Sequence, residues 1–92
     1  MNLKRIEGEE VVKMHFLSND VLQNETQIIE RKQKLINGMI LGNLERQKSQ
    51  IAFHAIEGDG YIESVIFAVT DKYICLKGGI TLLIASIIEV WV

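Results

Sequence analysis

The chain has 92 residues, which is shorter than a typical domain, so we expect one folding unit. Apolar residues make up 48% of it and charged residues 24%, a composition of globular rather than disordered proteins. Ten Lys and Arg residues against twelve Asp and Glu residues give a net charge of −2. No overall basic field would therefore attract the chain to nucleic acid or to anionic lipid.

Three features of the sequence bear on location. The longest uncharged stretch, residues 78–88, has eleven residues, about half of the ~20 that a membrane-spanning helix needs. Charged residues interrupt the first ten positions, so no secretion signal is predicted. Cys75 is the one cysteine, which excludes an internal disulfide and favours a reducing compartment. We expect a cytoplasmic protein with no membrane partner.

The first half of the chain predicts a helix. Apolar residues recur at spacings of seven and then four along residues 21–40, which places them in one stripe on a helical surface. Ser18 or Asn19 suits the N-cap position, and Gly42 suits the left-handed conformation that ends many helices. The sequence therefore predicts an amphipathic helix over residues 18–42, after an entry segment, residues 1–17, for which only a short extended stretch is indicated.

Beyond the helix, apolar residues alternate with polar ones, as in β-strands. Glycine and charged residues at 57–60, 71–72 and 78–79 predict tight turns between short strands, and the run between the first two turns, residues 61–69, is predicted to form one strand. A helix followed by five short strands is typical of a small barrel. We predict a single domain over residues 1–92 of the α+β class, mainly β, in which an N-terminal amphipathic helix precedes a five-stranded, strongly bent barrel over residues 46–92.

The last two predicted strands, residues 80–84 and 88–92, have high β-propensity, and Glu89 is their one charged residue. Exposed strand edges of this kind cause aggregation unless another strand pairs with them. We therefore predict a homo-oligomer. The interface is predicted to contain the apolar residues of these strands, namely Ile80, Leu82, Ile84, Ile88, Val90 and Val92.

Residues 46–92 resemble the Sm-like (Lsm-type) small β-barrel family. The stretch from Ile74 to Ile84 is similar to the second motif of that family, an apolar strand, a basic residue with glycine at a tight turn, and another apolar strand. Residues 71–90, with a Lys-Gly-Gly turn and a closing Ile-rich strand, also resemble small bacterial proteins of unassigned function. The resemblance implies an Sm-like or SH3-like barrel whose subunits close into rings by pairing the fourth strand of one copy with the fifth of the next.

The resemblance also implies single-stranded RNA as a partner. Lys77 and Gly78 match the basic residue and glycine of the second motif, whereas the segment 61–69 lacks the Asp and Asn of the first. A local basic patch is possible where the helix meets the first strand, although a solvated helix face explains the same residues. The candidate nucleic-acid-binding residues are Lys77, Gly78, Arg31, Lys32, Lys34, Arg46 and Lys48, with Phe53, Tyr61 and Tyr73 as candidate stacking faces.

No motif in the sequence indicates catalysis. His15, His54 and Cys75 are too few and too scattered to supply the four N/S ligands of a structural zinc site. The acidic turn at residues 57–63 fails the calcium-loop pattern at its first and twelfth positions. The phosphate-binding glycine motifs are absent from the sequence. We expect no enzyme activity, no metal and no cofactor.

Two hypotheses about function remain. The first is a non-catalytic oligomeric interaction module that binds itself or another protein. The alternative is an Sm-like ring that binds single-stranded RNA through the basic helix and strand residues and the Lys77-Gly78 turn.

Overall fold

The computed structural model describes residues 3–92, and it contains two helices, one short 3₁₀ helix and seven strands. In chain order the elements are β1 (Lys4–Arg5), α1 (Gly8–Val11), α2 (Glu25–Glu45), β2 (Ser49–Ala55), β3 (Gly58–Ser64), β4 (Ile66–Val69), β5 (Tyr73–Leu76), β6 (Ile80–Leu83), the 3₁₀ helix (Ile84–Ser86) and β7 (Ile87–Trp91).

The strands form two sheets. The first has the order β1-β3-β2-β7 and the second the order β4-β5-β6. All neighbours pair antiparallel except β1, which runs parallel to β3. The β2–β3 hairpin confirms the turn predicted near residue 57, since Ala55 pairs with Gly58 across it. Val65 alone separates β3 from β4, so the chain passes from one sheet to the other at this residue.

The predicted barrel is wrong. The structure has seven strands in two sheets that do not close on each other, because the ladders end at β6 in one sheet and at β7 in the other. The prediction extended one bent strand through residues 61–69, whereas the change of sheet at Val65 divides that stretch into β3 and β4. No ladder joins β6 to β7 among the described residues, and barrel closure would require one.

The predicted N-terminal position of the helix is also wrong, because β1 and α1 precede it and the long helix lies in mid-chain. The entry segment is anchored by its apolar residues. Ile6 and Val11 are buried in the core, and the Ile6 amide donates to the carbonyl oxygen of Tyr61 at 2.8 Å. Burial of these side chains holds a segment whose local pattern indicates little regular structure.

Helix α2 begins after Asn24, so neither Ser18 nor Asn19 is its N-cap. The Asn24 Oδ1 accepts from the amides of Thr26 at 2.8 Å and Gln27 at 3.2 Å, as an N-cap does. The helix ends at Glu45, and Arg46 takes the left-handed conformation after it, with φ 58°. The prediction that Gly42 ends the helix in this conformation is wrong, because Gly42 lies within α2. The stretch from Val12 to Asn24, called the strap below, connects α1 to α2 without helix or strand.

The core lies between α2 and the two sheets. Leu35 is fully buried on the inner face of α2, and Phe53, Ile66 and Ile87 are fully buried beneath it. Gly42 lets the helix approach the sheet closely, since a Cβ built there would lie 2.6 Å from the Ile66 carbonyl oxygen. This close contact fixes α2 across the start of β4.

Candidate functional site

Four strands stand at the ends of the two sheets, and two of these edges are protected. Strand β1 is only two residues long and both residues are charged, a combination that disfavours pairing with another chain. Strand β4 contacts α2, whose Asn43 side chain donates to the Phe67 carbonyl oxygen at 3.3 Å. The remaining edges, β6 and β7, are the ones that the sequence predicts to be unguarded.

Strand β6 carries no charged side chain, and Thr81 is exposed on it. Within residues 3–92, the backbone–backbone hydrogen bonds of Ile80–Leu83 all belong to the ladder with β5, and one side chain, the Ser86 hydroxyl, donates to the Leu83 carbonyl oxygen at 2.6 Å. Its outer edge therefore presents backbone groups that another strand can pair with.

Side chains bond to the backbone of strand β7 at two residues. The Arg31 guanidinium donates to the Ile87 carbonyl oxygen at 3.0 Å. The Glu89 carboxylate accepts from the Val90 amide at 3.0 Å and from the Lys34 ammonium at 2.7 Å. The hydrogen bond from Lys34, opposed by partial burial, lowers the pKa of Glu89 below its ordinary value. Both groups of this ion pair are about half exposed, so its contribution to stability is small. The carboxylate occupies one backbone donor of β7, and a neighbouring strand would have to replace it.

The six residues predicted for the interface do not share one surface. Leu82, Ile84 and Val90 are buried in the core of the chain itself. The end of Ile80 lies against α1, because a Cβ added to Gly8 would meet its Cδ1 at 2.2 Å. Ile88 is half-buried and Val92 is exposed. Pairing at these edges would thus use the backbone, and most of the predicted side chains stabilise the single copy.

An apolar cleft adjoins β7 that the sequence did not predict. It has a volume of about 670 Å³ and lies between the second half of α2 and the end of the chain. Ile40, Trp91 and Val92 line it, and each is close to half exposed. The sequence assigns Ile40 to the apolar stripe on the inner helical face. Its position at the edge of that stripe was the one sign in the sequence that it could be exposed in a cleft.

Two of the predicted nucleic-acid-binding residues form ion pairs with acidic side chains of the same chain. Arg31 is 5% exposed, and its guanidinium donates to both carboxylate oxygens of Asp20, at 2.8 Å and 2.6 Å, and to the Ile87 carbonyl oxygen at 3.0 Å. The hydrogen bond from Arg31 lowers the pKa of Asp20. Lys34 is bound to Glu89 as described above. Arg31 was expected on the polar helical face and instead anchors the strap to α2 and β7.

The other predicted basic residues lie in three places. Lys32 is half-buried, with its ammonium 3.4 Å from the Thr70 carbonyl oxygen. Arg46 and Lys48 are exposed in the connection from α2 to β2. Lys77 and Gly78 occupy the exposed β5–β6 turn, where Gly78 has a φ of 87° that a glycine accommodates best. The RNA hypothesis combined the basic residues of α2 with the Lys77-Gly78 turn. In the structure the two groups lie on different elements.

The aromatic candidates differ in exposure. Phe53 is fully buried and packs edge-to-face against Phe16, with ring centroids 5.7 Å apart. Tyr61 is half-buried, and Tyr73 is 46% exposed at the start of β5. Of the three, Tyr73 offers the most open face for stacking.

Both histidines pair with carboxylates near the β2–β3 turn. His15 bonds to Glu57, with Nδ1 to Oε2 at 2.6 Å and the backbone amide to Oε1 at 3.0 Å, and His54 bonds to Asp59. The hydrogen bonds from His15 lower the pKa of Glu57 to about 2. Cys75 is half-buried on β5. In the part of the chain that the structure describes, no three His, Cys, Asp or Glu residues are grouped closely enough for a metal ion.

Over residues 3–92, neither helix has the length and apolar character needed to cross a membrane. Comparison with protein-family models, curated protein sequences and solved structures gave no match for this chain.

Proposed function

We propose that the chain is a non-catalytic interaction module that assembles with copies of itself by pairing the outer edge of β6 in one copy with the outer edge of β7 in another. The observation that supports this proposal is the contrast between the four terminal strands. Strand β1 is short and charged and β4 lies against α2, whereas β6 carries no charged residue, and among the described residues side chains bond to the β6 and β7 backbones only at Leu83, Ile87 and Val90.

Edge pairing between two different strands is a head-to-tail contact, which forms a ring if the rotation closes and a filament if it does not. Each copy would use both edges once, so neither would remain exposed in a ring. The apolar cleft beside β7 adds exposed side chains, Trp91 among them, next to the proposed contact. Aromatic residues in such positions commonly contribute to protein interfaces.

The oligomeric state tests the proposal. Native mass spectrometry and light scattering at micromolar concentration should show a defined multiple of the 10.5 kDa chain. Thr81→Lys places a charge on the exposed side of β6 and should shift the population toward the monomer. Thr26→Lys makes the same change at an exposed position in the first turn of α2 and serves as the matched control. A wild-type monomer, or equal assembly by both variants, would refute the proposal.

Single-stranded RNA binding by the assembled chain is the second candidate, supported by the exposed Lys77 and Lys48 and by the open face of Tyr73. Affinity carried by phosphate contacts falls steeply with salt, whereas apolar and backbone pairing between copies does not. Single-stranded RNA should then bind at low salt and lose affinity when Lys77 and Lys48 are replaced by Gln. Binding that is unaffected by salt or by these changes would contradict this candidate.

A further inference from the structure

We propose that the chain binds an amphipathic anion, an apolar body with a carboxylate head, in a cleft beneath the strap. This strap cleft has a volume of about 830 Å³, within the range of small-molecule sites. It lies between the strap, the first half of α2, the β4–β5 turn and the end of β6. It is separate from the apolar cleft beside β7, and it goes beyond the proposed self-assembly.

Apolar side chains form most of the walls. The cleft is lined by Phe16 from the strap, Ile28 and Ile29 from α2, Leu83 from β6 and Ile84 from the 3₁₀ helix. Tyr73, at the start of β5, also lines it. Ile29 is 62% exposed and Tyr73 46%, so the cleft keeps apolar surface in contact with water. An apolar ligand body that covers this surface would be bound favourably.

Positive side chains outnumber negative ones around the cleft. Arg31 and Asp20 line it but neutralise each other through their ion pair. That leaves the ammonium groups of Lys32 and Lys72 against the carboxylate of Asp71, and none of the three forms an ion pair among the described residues. Two positive groups against one negative group favour an anionic head on the ligand.

The exposed position of Ile29 allows a charge test within the cleft. Decanoate is the probe, decanol is the uncharged probe of the same length, and amide chemical shifts of the full-length chain report where each binds. Decanoate should shift the amides of Tyr73, Leu83 and Ile84 in the wild type. We expect Ile29→Glu to bind decanoate about tenfold more weakly than Ile29→Lys, since Ile29 is three residues before Lys32 on α2 and the two changes place opposite charges near that ammonium group. Decanol should bind both variants equally.

A second arm removes the positive charges. Lys32→Gln with Lys72→Gln should weaken decanoate several-fold, whereas Lys4→Gln with Lys13→Gln, two exposed positions outside the cleft, should leave it unchanged. The proposal is overturned if decanoate leaves the cleft amides unshifted, or if the Ile29 variants bind it equally. Uridine monophosphate is titrated in parallel, and shifts from it in the absence of shifts from decanoate would also overturn the proposal, in favour of a nucleotide site.

Discussion

Removing Asp20 should destabilise the fold more than removing its partner Arg31. The Arg31 side chain is 4% exposed and Asp20 is 30% exposed. Asp20→Ala leaves a buried guanidinium with only the Ile87 carbonyl oxygen as acceptor. Loss of one partner of a buried ion pair costs about 3–5 kcal/mol, and we expect the lower value because Asp20 is partly solvated. For a chain of this size about 3 kcal/mol corresponds to roughly 12–24 °C in melting temperature.

Removing Arg31 instead of Asp20 should destabilise the fold less, because the charge left without a partner is the partly exposed carboxylate of Asp20. Arg31→Met keeps an apolar stem in the core, and the carboxylate of Asp20 can be hydrated while it still accepts from the Leu22 amide at 2.8 Å. We expect a loss of about 1–2 kcal/mol. The double variant carries neither charge, so it should be more stable than Asp20→Ala alone and close to Arg31→Met.

Urea unfolding of the wild type, both single variants and the double variant measures these differences. Asp71→Ala, an exposed aspartate without an ion pair in the described part of the chain, is the control and should change stability by less than about 0.5 kcal/mol. The pKa of Asp20 is lowered, so the stabilisation is present above the ordinary value near 3.9 and is lost as the pH falls through the lowered value. A double variant that is less stable than Asp20→Ala would refute the reasoning.

Three further results are expected. Gly42→Ala should cost about 1–3 kcal/mol in urea unfolding because its Cβ would lie 2.6 Å from the Ile66 carbonyl oxygen, and an unchanged midpoint would contradict the close helix–sheet contact. Leu35→Ala, at a fully buried position, should cost about 2–5 kcal/mol in the same assay, and a loss below 1 kcal/mol would count against that burial. His15→Ala should raise the pKa of Glu57 from about 2 toward the ordinary value near 4.3 in a carboxyl NMR titration, because the His15 side chain is the largest cause of the lowering, and an unchanged pKa would contradict that role.

Local pattern predicted the elements better than their arrangement. The spacing of seven and four identified α2, and the glycine-rich cluster near residue 57 identified the β2–β3 hairpin. The helix start was placed at Ser18 because several polar residues before α2 can cap a helix, and the pattern does not choose between them. The choice of Asn24 leaves Asp20 free to reach Arg31, eleven residues further along the chain.

The errors arose where long-range contacts override local preference. Alternation of apolar residues continues through Val65, so the sequence indicated one strand where the chain changes sheets. Arg31 follows the helical pattern of a surface residue, and only the folded chain shows that the strap covers it. The strap cleft was missed for the same reason, since Phe16, Lys32 and Tyr73 come from separate parts of the sequence.

The exposed edges of β6 and β7 connect the sequence pattern to the proposed assembly. Sequence alone identified residues 80–84 and 88–92 as strands with few charges, and the structure places β6 and β7 at the ends of separate sheets. Their side chains are largely committed to the core of one copy, so the chain has no need of a neighbour to bury them. What remains unpaired is backbone, and backbone pairing requires complementary edges more than matching side chains. Arg31 bonds to the β7 backbone at Ile87, where the strand begins. Further along the strand, Glu89 is held by Lys34 as well as by the Val90 amide, so a strand that displaces it leaves the carboxylate paired with Lys34. The β7 edge can therefore be opened for pairing without leaving Glu89 unpaired.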